Sequence, residues 1–124
     1  MDRDPGSARV VVTGAASALG RRVTATLAAD PTVSSVAALD RLPVPGGDRP
    51  CDLLVDDLKE RFEGATCVIH LASAFGPALD GDAEVEGEAD VEMARRVLDA
   101  ASSCSVDHLV VLSSATVYGA WPTN

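Results

Sequence analysis

Arg9-Val10-Val11-Val12-Thr13-Gly14-Ala15-Ala16-Ser17-Ala18-Leu19-Gly20 joins a near-continuous apolar run to a short turn bounded by glycines. β-Branched residues without polar alternation are what a strand covered on both faces requires, as in a parallel sheet. From Ala18 to Ala29 the pattern changes: Leu19, Val23 and Leu27 recur every four residues, along one side of a helix. Asp30-Pro31 ends that helix, since the residue before proline is driven out of the α region. Strand, glycine turn and helix in that order open a βαβ unit.

The alternation continues along the chain. Val33 to Leu39 reads as a second strand ending at Asp40-Arg41, and Leu42 to Pro50, with three prolines and two glycines, reads as loop. A short third strand is expected around Asp52 to Val55, then a brief helix from Asp57 to Phe62 stopped by Gly64. Thr66 to Leu71 forms a fourth strand, Ser73 to Gly81 a loop, Ala83 to Ser103 the longest helix and His108 to Ser113 a fifth strand. In the long helix Val85, Ala89, Met93, Val97 and Ala101 keep one face. Its acids gather near the start, ahead of Arg95-Arg96, an order that suits the helix dipole, and a solvated face accounts for them. Right-handed crossovers turn this succession into an α/β, Rossmann-type doubly wound parallel sheet with strand order 3-2-1-4-5, truncated after the fifth strand.

Composition bounds the function. The 124 residues suffice for one domain. Apolar residues make up 47% and charged residues 23%, so the chain can build a core. Asp and Glu total 19 against 10 Lys and Arg, for a net charge of −9, which argues against gripping nucleic acid or an anionic membrane. No apolar run reaches the ~20 residues of a transmembrane helix, and Met1 to Ala8 is polar, without a signal-peptide core. Cys51, Cys67 and Cys104 are odd in number and widely spaced, so neither a disulfide framework nor a metal-ligand set is expected. These features point to a cytoplasmic, reduced domain with a disordered tail over residues 1–8.

Gly14 permits a tight strand-to-helix turn, and Gly20 lets the helix pack closely on the strand. Between them, backbone N–H groups and the positive helix end can face a pyrophosphate. A glycine pair six apart could equally do no more than shape a turn. Asp40 decides for a nucleotide. It ends the second strand, 26 residues after Gly14, near the spacing at which an acid meets an adenosine ribose. A carboxylate there bonds the 2′- and 3′-hydroxyls and repels a 2′-phosphate, favouring NAD over NADP. Arg41 beside it is the counter-argument, since a guanidinium could clamp that phosphate.

Three separated motifs then resemble the extended short-chain dehydrogenase/reductase family, the NAD-dependent epimerases and dehydratases. Thr13-Gly14…Gly20 is similar to the family's TGxxGxxG turn, and Val68-Ile69-His70-Leu71-Ala72 to its fourth-strand motif. Ser113-Ser114-Ala115-Thr116-Val117-Tyr118-Gly119 matches its fifth-strand end almost letter for letter. The resemblance implies that Ala18 and Leu19 contact the pyrophosphate alongside Gly14 and Gly20, and that Asp40 holds the adenosine ribose. Asp52 and Leu53 would meet the adenine edge, through the carboxylate and a backbone amide respectively. Leu71, Ala72 and Ser73 would line the diphosphate and nicotinamide-ribose side. Ser114 matches the catalytic serine or threonine, and Thr116 a substrate contact of some members. His70 reads as a structural strand-end histidine, His108 as a surface residue and Tyr118 as an anchor packed under the sheet.

The sequence departs from that pattern at three places. Ser17 stands at the family's middle glycine, where Cβ bulk could resist a positive φ and weaken cofactor binding, or the hydroxyl could bond a phosphate oxygen. Asp90 stands at the usual asparagine of the long helix, keeping an acceptor and losing a donor. The family's Tyr-x-x-x-Lys is missing, as Tyr118 is followed four residues later by Pro122.

The expectation is therefore the NAD-binding portion, residues 9–124, of an epimerase/dehydratase-like oxidoreductase acting on a sugar nucleotide or similar carbinol, with the C-terminal part and substrate lobe absent and the piece inactive alone. The alternatives are a non-catalytic NAD(P)-binding sensor or partner module, and a truncated product without function of its own. The fifth strand would form an open sheet edge, through which a homo-oligomer is expected to pair.

Overall fold

Val10, Val11 and Val12 are all buried, so β1 (Ala8–Thr13) is covered on both faces, as a central parallel strand must be. The structure, a computed structural model, describes residues 7–74, 83–114 and 119. Around β1 stand α1 (Ala18–Ala28), β2 (Val33–Leu39), α2 (Leu58–Phe62), β3 (Cys67–His70), α3 (Ala83–Ser103) and β4 (His108–Val111). The strands form one parallel sheet in the order β2-β1-β3-β4, with Val11 opposite Ala37 on one side and Val68 on the other. Of the expected tail, only Ser7 and Ala8 lie among the described residues, and Ala8 opens β1.

This is the expected doubly wound order less one strand. Asp52 to Val55 forms a turn, not a strand, so the sheet has four described strands. The cause is local: the Asp52 carboxylate accepts from Leu54 N (2.9 Å), Asp52 O accepts from Asp56 N (2.9 Å), and the Asp56 carboxylate accepts from Asp52 N (2.8 Å). These bonds satisfy inside the turn the backbone groups a strand would offer to β2. One bond remains between the two segments, Cys51 N to Asp40 O at 2.8 Å.

The main core lies on the face covered by α2 and α3. There Phe62 and Leu58 of α2 and Met93, Val97, Ala100 and Ala101 of α3 pack on Val11, Leu39 and Val68 of the sheet. A fully buried Phe, Leu or Val side chain contributes roughly 1.5–3 kcal/mol relative to exposure. The expected α3 stripe holds in its second half, whereas Val85 near the start is 60% exposed. α1 covers β1 and β2 on the opposite face; Val23 and Leu27 are half-buried there, and only Gly20 of the helix is buried. Leu19, expected in that stripe, is 46% exposed, in the first turn of the helix. α3 closes with Val106 N bonded to Ala101 O (3.0 Å) and Ser105 in the left-handed region at φ 54°.

Candidate functional site

Gly14 leaves β1 at φ +70°, and a Cβ built on it would lie 2.7 Å from Ala72 N and 2.8 Å from Leu71 C, so the turn is pressed against the end of β3. A Cβ on Gly20 would lie 2.2 Å from Gly14 O and 2.7 Å from Ala15 Cα. Neither backbone approach survives a side chain. Both glycines therefore do the work the sequence assigned them, close strand-to-helix and turn-to-strand packing.

Ser17 departs from one expectation. Its φ of −68° and ψ of 162° are ordinary extended backbone, so no strain arises from its Cβ. It is the N-cap of α1: Oγ accepts from Gly20 N at 3.0 Å and donates to Gly14 O at 2.8 Å. The hydroxyl is thus committed within the turn. Gly20 N is taken by Ser17, Arg21 N bonds Ser17 O, and Ala16 N bonds Asp40. That leaves the amides of Ala18 and Leu19, without a hydrogen bond to any described residue, at the positive end of the helix.

Asp40 lies against the same turn. Half-buried at the end of β2, it accepts from Ala16 N through Oδ2 (2.9 Å) and from Leu42 N through Oδ1 (2.9 Å). Its negative charge is therefore held beside the helix N-terminus, while Arg41 is exposed. Asp52 is half-buried and Leu53 buried, in the turn that follows the loop.

The β3 end supplies the opposite wall. Thr13 Oγ1 receives Leu71 N at 3.1 Å and Ala72 N at 3.3 Å, so its single proton goes to His70 Nδ1 at 2.7 Å. His70 then carries its proton on Nε2 and is neutral; burial holds its pKa below the ordinary value against a smaller opposing pull from Asp90. Asp90 accepts from Ala74 N (2.5 Å) and Ser73 Oγ (2.9 Å), the acceptor role expected of an acid at that position. Ser114 is exposed just beyond β4, where Leu112 N still bonds His70 O at 3.1 Å. Thr116 and Tyr118 lie outside the described residues.

Gly14, Ala18, Leu19, Asp40, Leu71, Ala72, Ser73 and Ser114 thus all gather at the carboxyl ends of the parallel strands, where open α/β sheets bind ligands. A cavity of about 330 Å³, bounded by Arg9, Ser34, Arg61 and Glu63, opens at the amino ends of β1 and β2 and shares no residue with this cluster. Two contributors were not legible beforehand: the Thr13–His70 bond, and Arg96, which donates to Leu53 O and to Asp56 O (2.9 Å). Nothing in the sequence separates Arg96 from its solvent-facing neighbour Arg95. Among the described residues no cluster of His, Cys, Asp and Glu could hold a metal, and no helix is long and apolar enough to cross a membrane. Burial pushes the Cys51 and Cys67 thiols up in pKa, away from the reactive thiolate.

A model of the NAD dependent epimerase/dehydratase family matches residues 10–123. Among solved structures, a short-chain dehydrogenase/reductase superfamily protein from Agrobacterium tumefaciens with bound NAD is 32% identical, with a TM-score of 0.76, over 90% of this chain and 34% of its own. MoeE5, in complex with UDP-glucose and NAD, is 27% identical, with a TM-score of 0.74, over 92% of this chain and 39% of its own. TunA, an NAD dependent-NDP-hexosamine 5,6-dehydratase, is 25% identical, with a TM-score of 0.74, over 90% of this chain and 39% of its own. The chain therefore spans less than half the length of these structures. No curated protein matches it.

Proposed function

The chain belongs to the NAD dependent epimerase/dehydratase family, and from that premise we propose that it forms the NAD-binding half of an oxidoreductase-type site acting on a sugar nucleotide. The observation that carries the proposal is the pairing of two open helix-start amides, Ala18 and Leu19, with the Asp40 carboxylate on one glycine turn. The residues fit the cofactor: the helix-start amides of Ala18 and Leu19 are open to a diphosphate, and the fixed carboxylate suits a ribose diol and opposes a 2′-phosphate. When bound, NAD supplies the hydride acceptor. Ala18 and Leu19 hold the diphosphate through their N–H groups, and Asp40 accepts from the adenosine ribose hydroxyls. Asp52 and Leu53 meet the adenine edge, while Leu71, Ala72 and Ser73 line the nicotinamide-ribose side, with Asp90 holding their loop. Ser114 donates to the reacting oxygen of the substrate carbinol or carbonyl.

The family's proton-transferring tyrosine and lysine are not among the 124 residues, so cofactor binding is the activity we assign to them. We also assign the protein to the cytoplasm and take β4, with its Val110 and Val111 and the following Leu112 each more than half exposed, as a strand-pairing edge for a second copy.

The test is a thermal melt with NAD and with NADP, on wild type and on Gly20→Ala. NAD at a hundredfold excess over Kd stabilises the folded state by roughly 2.7 kcal/mol, about 10 °C for a chain of this length. NADP should give a smaller shift. Gly20→Ala, whose methyl would collide with Gly14 O, should abolish the response. A cooperative wild-type melt indifferent to millimolar NAD would overturn the proposal.

A further inference from the structure

We propose that Arg96 is a positioning residue for the adenine end of the site: from α3 it sets the orientation of the Asp52 carboxylate through a single peptide plane. The inference rests on the assignment of Asp52 and Leu53 to the adenine edge. The geometry begins with a turn that no strand holds. Residues 52–55 form none of the sheet pairings expected of them, and the internal bonds of the turn join only Asp52, Leu54, Val55 and Asp56 to one another. The Leu53 side chain anchors this turn in the core, and its backbone is tied to another element by Arg96, half-buried on α3, whose guanidinium donates to Leu53 O and to Asp56 O at 2.9 Å.

The Leu53 carbonyl and the Leu54 N–H are the two ends of one planar peptide. Arg96 holds the carbonyl end, and the N–H end donates to Asp52 Oδ1 at 2.9 Å. Rotating that plane would break both bonds together. Arg96 therefore fixes the N–H that in turn fixes one oxygen of the Asp52 carboxylate. A second tie at Asp56 O stops the turn from swinging as a body. The two carbonyls are met by two different guanidinium nitrogens, which suits a planar fork, whereas a lysine would have to reach both from a single nitrogen. α3 also carries Asp90, which holds the Ser73–Ala74 loop on the other side of the crevice. One rigid helix thus sets both flanks.

The readout is base discrimination, which a merely structural role would not move. A carboxylate aimed at the adenine edge accepts from the 6-amino group and opposes the 6-oxo group of hypoxanthine. Titration calorimetry on the 124-residue chain should therefore show NAD binding about tenfold tighter than nicotinamide hypoxanthine dinucleotide. In Arg96→Lys and Arg96→Met, NAD affinity should fall and the preference should shrink to about twofold or less. Full discrimination retained in a folded Arg96→Lys chain overturns the positioning role alone. Equal wild-type affinities for the two dinucleotides overturn it together with the adenine assignment of Asp52. Absence of wild-type NAD binding is a different failure, that of the proposed function. Hydrogen exchange at the Leu54 amide gives a second measure, independent of ligand: faster exchange in Arg96→Lys supports the shared peptide plane, and unchanged protection overturns it.

Discussion

Replacing Ser17 with alanine separates two roles that its hydroxyl could have, capping the helix or touching the cofactor. In the structure Oγ accepts from Gly20 N at 3.0 Å and donates to Gly14 O at 2.8 Å, so both of its functions are internal. Removing an N-cap serine costs about 1 kcal/mol, within a range of roughly 0.5–2. Gly14 O keeps a partner in Ser17 N at 3.2 Å, so the loss should not climb to the top of that range. Unfolding entropy near 2.1 cal/mol/K per residue puts the chain at about 0.26 kcal/mol per kelvin, and the expected fall in Tm at about 4 °C. Ser17→Gly, which restores the family's residue, should cost only a few tenths of a kcal/mol because glycine caps helices passably. NAD affinity should stay within about threefold in both variants, because the amides of Ala18 and Leu19 are untouched. Circular dichroism melts and titration calorimetry on the three chains would check this. If Ser17→Ala melts like wild type, the cap contributes nothing. If it folds normally and loses more than about tenfold in NAD affinity, the hydroxyl meets a phosphate oxygen and the account of the turn given above is wrong.

Two further outcomes follow from the same structure. Ser105 holds φ 54° after α3, a conformation that costs a residue with a Cβ about 1 kcal/mol, so Ser105→Gly should raise Tm by roughly 2–4 °C; an unchanged or lower Tm would show that the site is not strained. His70 is buried neutral with its pKa lowered, so below its ordinary value near 6.5 the unfolded chain takes up the proton first, and stability falls as pH drops through that value towards the folded one. His70→Asn keeps an acceptor for Thr13 without a titrating group and should flatten the wild-type slope between about pH 7 and 5; parallel slopes for the two proteins would refute the assignment.

The parts of the fold that were legible are those governed by hydrophobic period and by steric exclusion. β1, β2, α1 and α3 fall within a residue or two of where their apolar patterns put them, because burial on both faces of a strand or one face of a helix leaves few alternatives. The third strand was lost because Asp-Leu-Leu-Val scans as a strand while its aspartate prefers to bond its own backbone, and composition alone does not say which competitor wins. The strain expected at Ser17 does not arise, for a related reason. A motif specifies that a glycine usually stands there, not the φ the position needs, and the φ turned out to suit any residue. Arg96 and the Thr13–His70 bond join residues 43 and 57 positions apart, and such pairings exist only once the sheet has assembled.

The two ends of the crevice are consequently held by different forces. At the pyrophosphate end the turn is fixed by contact: Gly14 lies against β3 and Gly20 against Gly14 with no room for a methyl group. Repulsion at such distances is steep and indifferent to salt and pH, so that end keeps one shape as long as the sheet is folded. At the proposed adenine end Leu53 is anchored in the core, but the backbone around it is oriented mainly by charged side chains at a partly solvated surface: Arg96 on Leu53 O and Asp56 O, Asp56 on Asp52 N, and Asp52 on Leu54 N. Bonds of that kind contribute modestly and weaken when screened by salt. On the proposed assignment the grip on the diphosphate is therefore inherited directly from the fold, whereas recognition of the base would depend on a few polar side chains that can be exchanged without rebuilding the sheet. Within one architecture, base selectivity is the property free to vary, and on the assignment proposed for Asp52 and Arg96 that pair is where this chain would express it.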